Sequence, residues 1–402
     1  MWLTLSLCAT RLIKIAKMRI AFCSDSVPPV WDGVTRTLSE LVTTLTDARV
    51  EFQFLSAVHP DPRLAWCDRV HVVPSVPFPL YPYYRLGLPV RRRLDRVLDR
   101  FAPDLIHVVT PSFLGLYGLR YARRRGIPVL ASFHTDFVGL LEFYWLRYAD
   151  GLARFLARRF YGQCAATLVP SRHQAAKLSE YGIHNVGLWR RGVDSAVFSP
   201  AFRSAALRTE IGTDGVPIVL YVGRLGREKN LNYLIAAIEL LHRGGTPFKL
   251  VIVGQGPMRR KLARRLPDAH FTGHIEGAEL ARWYASADVF VFPSTAETFG
   301  NVVLEAFASG LPVVAVGGGA VGELVTPNVN GLLAPADQPA VFAEQVRMLL
   351  ERPADRARIA AGALVTAAAY RWPDVNRQLL GHYERIILQG ARQADRPLAV
   401  AV

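Results

Sequence analysis

The sequence predicts an α/β protein built from two doubly wound parallel sheets in tandem. Three observations lead there. Short apolar, β-branched runs alternate with longer segments of helical period, which is the signature of parallel-sheet units. The alternation runs to about residue 198 and restarts after Pro200. The chain has 402 residues, too many for one ordinary domain and suited to two of roughly 150–200 residues each.

In the first half, strands are expected near Arg19–Cys23, Glu51–Ser56, Val70–Val73, Asp104–Val109, Pro128–Phe133 and Thr167–Val169. Helices are expected at Val34–Thr46, Pro89–Phe101, Leu114–Arg124, within Val138–Cys164, and at Arg172–Tyr181. In the second half, strands fit Ile218–Gly223, Lys249–Val253, His270–Thr272, Val289–Phe292, Pro312–Val316 and Gly331–Ala334. Helices fit Asn230–His242, Pro257–Leu266, Ala278–Ser286, Asn301–Ser309, Ala320–Val325, Pro339–Glu351, Asp355–Tyr370 and Pro373–Leu388. A linker is expected near Val193–Ala205. The domains read as 18–198 and 199–372, with 373–402 a closing helix and tail. Doubly wound sheets bind ligands at the carboxyl ends of their strands, so two such sheets predict a cleft between domains.

Hydrophobic residues make up 51% and charged residues 20%, which are globular values. The four cysteines are scattered and form no CxxC pair. Neither a disulfide framework nor a zinc site follows, and a reducing, cytoplasmic setting fits. No run approaches the ~20 apolar residues of a membrane span. Residues 1–17 carry Arg11, Lys14 and Lys17 after the start of their apolar stretch, the reverse of a secretory signal. They read as a loose extension or a misplaced start, with Met18 opening the first strand. The formal charge of +15 favours polyanionic partners: nucleic acid, an anionic membrane or phosphorylated small molecules.

The segment Phe292-Pro-Ser-Thr-Ala-Glu-Thr-Phe-Gly-Asn-Val-Val-Leu-Glu305 runs from a strand end through a loop into a helix. Thr298, Phe299, Gly300 and Asn301 put free backbone N–H groups at the helix start, where the helix dipole favours anions. Gly300 removes a side chain where a ligand approaches. Glu297 and Glu305 flank that turn and can hold sugar or ribose hydroxyls. As isolated residues they would read as a solvated loop charge and a helix-surface charge.

Gly223 ends the first strand of the second half, and Arg224 and Lys229 follow it. Arg offers a bidentate fork and Lys a point charge, a pair able to clamp a diphosphate; an ordinary basic loop is the plainer reading. Gly254-Gln-Gly256 is weak evidence on its own. In the first half, Gly33 opens a helix and can bring backbone close to a phosphate, while Asp32 can serve as its N-cap. His134, beside Asp136, sits at the carboxyl end of a strand, where active-site residues collect. Tyr144 and Trp145 fit core packing or an acceptor wall. Residues Val90–Phe101 form an amphipathic helix whose apolar stripe suits the core. Its arginines 91, 92, 93, 96 and 100 suit acidic headgroups.

These segments together resemble the retaining glycosyltransferases of family 4, which have the GT-B fold of two Rossmann-like domains. The match lies in the Glu297-x7-Glu305 pattern with its Phe-Pro-Ser and Glu-Ala-Phe-Ala-Ser-Gly-Leu-Pro-Val-Val flanks. Gly223-Arg-Leu…Glu-Lys-Asn230, Gly254-Gln-Gly-Pro, His134-Thr-Asp and Arg191-Gly-Val-Asp…Phe-Ser-Pro200 add to it. GDP-mannose-dependent mannosyltransferases and sulfoquinovosyldiacylglycerol synthases are the nearest in pattern. The resemblance implies that Glu305 binds the ribose and Glu297 the donor-sugar hydroxyls. It implies that the Phe299–Asn301 backbone, Arg224 and Lys229 meet the diphosphate, and that Gly254 and Gly256 line the base or ribose pocket. His134 would face the donor sugar near the reacting carbon. The family often carries Gly-Gly where this chain has Asp32-Gly33.

The expectation is a metal-independent, retaining hexosyltransferase with no resident cofactor and a GDP- or UDP-linked sugar as co-substrate. Mannose is the favoured sugar, and a membrane lipid or lipid-linked glycan the favoured acceptor. Peripheral contact with the cytoplasmic face of an anionic membrane goes with it. No Asp-x-Asp occurs, and no nucleic-acid-binding motif is found. A same-fold epimerase or phosphorylase and a non-catalytic nucleotide-sugar binding module are the rival readings.

Overall fold

The computed structural model describes residues 18–30, 33–78, 81–134, 136, 150–213 and 215–394, with backbone only for 81–83 and 392–394. The extension 1–17, Asp32, Tyr144, Trp145, the first part of the helix within Val138–Cys164 and residues 395–402 lie outside the described residues. The chain divides into two compact units. The first is Met1–Pro170, Gln174–Trp189 and Val375–Val402; the second is Ser171–His173 and Arg190–Asp374.

The first unit contains β1 (Arg19–Ser24), α1 (Gly33–Asp47), β2 (Glu51–Ser56), β3 (Val70–Val72), β4 (Ser75–Phe78), β5 (Tyr81–Gly87), α2 (Arg91–Phe101), β6 (Leu105–Val108), α3 (Phe113–Arg125), β7 (Val129–Ser132), α4 (Asp150–Tyr161), β8 (Ala166–Val169), α5 (Arg172–Glu180) and β9 (Val186–Leu188). Seven strands pair in the order β3-β2-β1-β6-β7-β8-β9, each neighbour parallel. The central strands are buried along nearly their whole length, as parallel sheets covered on both faces require.

Two elements depart from the expected set. Ser75–Phe78 and Tyr81–Gly87 form an antiparallel hairpin. Pro77 and Pro82 remove ladder donors and hide it from a reading based on strand propensity. The edge strand β9 has three residues, too few to show a period. Helix α2 turns its apolar stripe inward, with Leu94 and Leu98 buried. Asp95 and Asp99 accept from Tyr117 and Tyr121 and pair with Arg124 and Arg125 of α3, at 2.8 Å, 2.8 Å, 3.0 Å and 2.6 Å. The stripe therefore belongs to the core, and the α2 arginines face solvent.

The second unit contains α6 (Ala205–Glu210), β10 (Ile218–Val222), α7 (Leu231–Arg243), β11 (Lys249–Val253), α8 (Arg259–Arg265), β12 (His270–Gly273), α9 (Gly277–Ser286), β13 (Val289–Phe292), α10 (Asn301–Ala308), β14 (Val313–Val316), α11 (Val321–Leu324), β15 (Gly331–Ala334), α12 (Pro339–Glu351) and α13 (Pro353–Ala368). Six parallel strands run β12-β11-β10-β13-β14-β15. Helix α14 (Trp372–Ala394) follows, and from Val375 it belongs to the first unit. Its Leu379, Leu380, Tyr383 and Ile386 enter the same core as Phe22, Phe54 and Trp189.

The segment expected as a linker, Val193–Ala205, is built into the second unit instead. The Val193 N–H donates to the Tyr370 carbonyl at 2.8 Å, and Phe198 is buried. Arg203 and Arg208 pair with Asp288 at 2.9 Å and 2.8 Å, and the Ile218 N–H donates to the same carboxylate at 2.8 Å. Polar anchoring of this density is invisible to composition, which reads Pro, Ser and charge as a connection.

Candidate active site

In each sheet the strand order reverses once, between β1 and β6 in the first and between β10 and β13 in the second. Loops leaving the carboxyl ends of such strands diverge and leave a crevice. In the second unit the loop after β10 carries Arg224 and Lys229, and the loop after β13 carries Glu297.

Lys229 ends a short 3-10 turn, Arg227–Lys229. Asn230 follows in the left-handed conformation, φ 53°, and its amide donates to the Pro293 carbonyl at 3.3 Å. That bond ties the β10 loop to the β13 loop. Lys229 Nζ then lies 2.5 Å from Glu297 Oε1, and the Ser294 hydroxyl donates to the same oxygen at 2.9 Å. Both side chains are about four-fifths buried, at 19% and 18% exposure, so the pair is charge-assisted and only partly screened. Arg224 pairs with Glu228 at 2.7 Å and stays half exposed. Its carbonyl accepts the Tyr221 hydroxyl at 3.3 Å. Burial, reinforced by the negative charge of Glu297 and Glu228, pushes the Tyr221 phenol upward, so it remains a donor.

Glu305 is only 4% exposed, and the fully buried Tyr284 donates its hydroxyl to it at 3.0 Å. A carboxylate held in that way is a built feature, not a helix-surface charge. Gly300 sits at the N-terminus of α10 with φ 107°, and no side chain caps that helix. Its first N–H groups have no partner within the helix. Asn301 Oδ1 is buried with no hydrogen-bond partner among the described residues. The Phe299 ring packs in the core, 6.1 Å from the Tyr370 ring, so only its backbone faces the turn. The Thr298 carbonyl accepts from Ser171 at 2.9 Å.

Gly254 and Gly256 answer to a demand of the protein itself. The loops after β10 and β11 are zipped by backbone bonds, Gly223 N to Val253 O at 3.0 Å, Leu225 N to Gln255 O at 2.8 Å and Met258 N to Leu225 O at 2.9 Å. A Cβ on Gly254 would lie 2.0 Å from the Gly223 carbonyl, and one on Gly256 would lie 2.6 Å from that of Leu225. These glycines let the backbone carrying Arg224 lie flat on its neighbour.

In the first unit, Gly33 opens α1, exposed, with its carbonyl accepting the Thr37 hydroxyl at 2.7 Å. His134 follows β7 and contacts Ser132 Oγ through Nε2 at 2.8 Å. Asp136 pairs with Lys177 of α5 at 2.5 Å.

Three groups escaped the sequence reading. Asp25, at the end of β1, accepts from the Gly87 N–H and the Thr110 hydroxyl, both at 2.9 Å. Burial raises its pKa despite those bonds. An acidic residue closing an apolar strand is the signal it offered. Ser294 holds Glu297 in place, and a serine between strand and loop carries no pattern. Gly317-Gly318-Gly319 follows β14, and a Cβ on Gly319 would lie 2.8 Å from the Thr295 carbonyl, so this turn braces the Glu297 loop. The run of three glycines was the signal. Among the described residues, no three His, Cys, Asp or Glu side chains are grouped to hold a metal ion.

Comparison with known proteins bears on this arrangement. Residues 31–197 match the family model described as Glycosyltransferase Family 4, and residues 216–352 match Glycosyl transferases group 1. A GDP-mannose-dependent alpha-mannosyltransferase of Mycolicibacterium smegmatis is 38% identical over 379 residues, covering 92% of this chain and 98% of that one. An alpha-monoglucosyldiacylglycerol synthase of Streptococcus pneumoniae is 27% identical over 330 residues, 79% of this chain and 75% of that one. In fold, the chain is similar to a sucrose-phosphate synthase from Thermosynechococcus elongatus, with TM-score 0.75 and 22% identity over 93% of this chain and all of that one. The two sheets are thus those of the GT-B fold, and the chain belongs to the family 4 glycosyltransferases, as a hexosyltransferase.

Proposed function

We propose that this hexosyltransferase moves mannose from GDP-mannose to a lipid or lipid-linked acceptor, with retention of configuration and without a metal. The observation that carries the reading is the Lys229–Glu297–Ser294 cluster beside the uncapped start of α10 and the buried Glu305. The mycobacterial relative named for GDP-mannose supports the choice of donor, and the diacylglycerol synthase supports the acceptor class.

In this reading Glu305, held by Tyr284, binds ribose hydroxyls. Arg224, Lys229 and the N–H groups at Gly300 and Asn301 take the diphosphate. Glu297 orients the sugar hydroxyls, and Gly254 and Gly256 bring backbone up to the nucleoside. His134 faces the sugar near its reacting carbon, and Gly33 brings backbone to the acceptor side. The bond from sugar C1 to the diphosphate oxygen breaks. The acceptor hydroxyl attacks C1 on the same face, and its proton passes to the departing diphosphate. Charge growing on that diphosphate is met by fixed cations and backbone dipoles, which is electrostatic catalysis. Lys229 must exchange part of its bond to Glu297 for the phosphate, so donor binding and release of Glu297 toward the sugar are one event.

The test is a donor screen. Purified protein is offered GDP-mannose, UDP-glucose, UDP-galactose and UDP-sulfoquinovose with lipid extract, and released nucleoside diphosphate is measured. Acceptor-dependent GDP release is the expected result. An epimerase would release none, and a binding module would turn nothing over. Full activity in Glu297→Ala would remove the site assignment.

A second observation favours contact with an anionic bilayer, at a place other than the α2 arginines. On α4, Leu152, Phe155 and Leu156 lie at i, i+3 and i+4 and are 62%, 59% and 55% exposed, beside exposed Arg158 and Arg159. An apolar outward face edged by arginine fits the headgroup boundary. No described helix is long and apolar enough to cross a membrane. Cosedimentation with phosphatidylglycerol vesicles, lost in Leu152→Glu/Phe155→Glu/Leu156→Glu, is the expected outcome. Equal binding of that variant would reject this face. The free cysteines Cys23, Cys67 and Cys164 agree with the cytoplasmic side.

A further inference from the structure

His134 belongs to a hydrogen-bonded file that crosses the first sheet. Tyr383 Oη of α14 lies 2.6 Å from His107 Nδ1 of β6. His107 Nε2 lies 3.0 Å from Ser132 Oγ of β7, which lies 2.8 Å from His134 Nε2. Tyr383, His107 and Ser132 are fully buried. The Trp189 ring stands edge-on to both imidazoles, at 6.0 Å and 5.8 Å.

The file has a direction. Burial drives the His107 pKa down to about 3, so the ring is neutral and carries a single proton. Burial likewise keeps the Tyr383 phenol protonated. Among the described residues, His107 is the one hydrogen-bond partner of that hydroxyl. An O–H stranded in a dry core costs about 1–3 kcal/mol, so Tyr383 donates to His107 Nδ1. The His107 proton then sits on Nε2 and is donated to Ser132. Ser132 in turn donates its own hydrogen to His134 Nε2. His134 accepts there, and its ring proton is left on Nδ1. The opposite polarity uses the same three contacts but leaves the Tyr383 hydrogen without an acceptor.

We propose that Tyr383, His107 and Ser132 are positioning residues that hold His134 in its Nδ1–H tautomer, so that it meets the donor sugar as a hydrogen-bond donor through Nδ1. The inference rests on the reading above that His134 faces that sugar. The partner of one imidazole nitrogen selects what the other nitrogen can do. The control point, Tyr383 on α14, lies 249 positions along the chain from His134.

The experiment uses the full chain labelled with ¹⁵N, with the His134 signals assigned by their loss in His134→Gln. Long-range ¹H–¹⁵N spectra report which imidazole nitrogen is protonated. Wild type is expected to show Nδ1–H at His134. Tyr383→Phe, almost isosteric, removes only the donor at the head of the file and is expected to bring in the Nε2–H form. Ser132→Ala does the same, and Ser132→Thr, which keeps the hydroxyl, restores the wild-type spectrum. In Tyr383→Phe, kcat is expected to fall about tenfold with donor KM within about twofold, since a wrong tautomer in a comparable array is costly. Nε2–H in wild type, or an unmoved tautomer in Tyr383→Phe and Ser132→Ala, would overturn the proposal. A moved tautomer with unchanged kcat would overturn the positioning role. The spectra need no turnover, so a protein inactive on every nucleotide sugar would sink the functional reading separately.

Discussion

Replacing Gly254 by alanine puts a Cβ 2.0 Å from the Gly223 carbonyl oxygen and 3.0 Å from its carbon. Both atoms are backbone and cannot swing aside. The residue also holds φ 136°, which an L side chain resists at a cost of about 1–3 kcal/mol. Relief requires the β10 and β11 loops to part. That breaks the bonds from Leu225 N to Gln255 O and from Met258 N to Leu225 O, each worth about 1 kcal/mol. The sum is about 3–5 kcal/mol against the second unit. Gly245→Ala is the control: it too has positive φ, 74°, but its Cβ meets nothing within 4 Å. It is expected to lose only about 1 kcal/mol. Urea unfolding followed through Trp283 and Trp372 reads both variants. The parted loops also displace Arg224, so nucleoside diphosphate release should fall in Gly254→Ala and persist in Gly245→Ala. A loss in Gly254→Ala no larger than in Gly245→Ala would refute the close-approach argument.

Lys229→Met leaves Glu297, among the described residues, with the Ser294 hydroxyl, and in the proposed function removes a cation from the diphosphate; kcat/KM for transfer is expected to fall about 100- to 1,000-fold. Tyr284→Phe takes a donor from the buried Glu305, with an expected cost of about 1–3 kcal/mol in unfolding and a donor KM that rises while kcat holds. His107 gives a pH dependence. Folded, it stays neutral down to about pH 3, whereas the unfolded chain takes up its proton near 6.5. The unfolded state therefore binds more protons in that window, and stability falls on acidification by about 1.4 kcal/mol per unit. Unfolding series between pH 7 and 4 should show a shallower slope in His107→Gln, and equal slopes would contradict the neutral buried ring.

Much of the second unit and of its candidate site was legible because both use local signals. Glu297, Gly300 and Glu305 lie within one strand–loop–helix passage, and Arg224 and Lys229 within another, so spacing alone places them on two loops. What spacing withheld was pairing. That Lys229 grips Glu297 depends on β10 and β13 being neighbours, a contact 68 residues apart in sequence. The first unit was harder. Asp25 is explained by groups 59 to 85 residues away, among them Tyr84, Gly87 and Thr110, and His134 sits against a serine, a histidine and a tyrosine from three elements. Tyr383 joins His107 across 276 residues, and no local period records such a bond. The β4–β5 hairpin was obscured by prolines that suppress propensity without preventing pairing. The segment Val193–Ala205 looked like a linker because anchoring by Asp288 and Tyr370 lies far away in the chain.

Helix α14 completes the first unit although it is translated after the whole of the second. When residues 190–374 have left the ribosome, the second unit holds all of its strands and can close. At that moment Phe22, Leu130 and Trp189 still lack Leu379, Leu380, Tyr383 and Ile386. The nascent chain thus carries a finished carboxyl-side body and an amino-side sheet with one apolar face covered by α1 but not yet by α14, the uncovered part open to chaperones or to its neighbours. Biogenesis in this fold runs against the order of the genetic message, and a premature stop before residue 375 would yield a chain that is half folded and prone to aggregate.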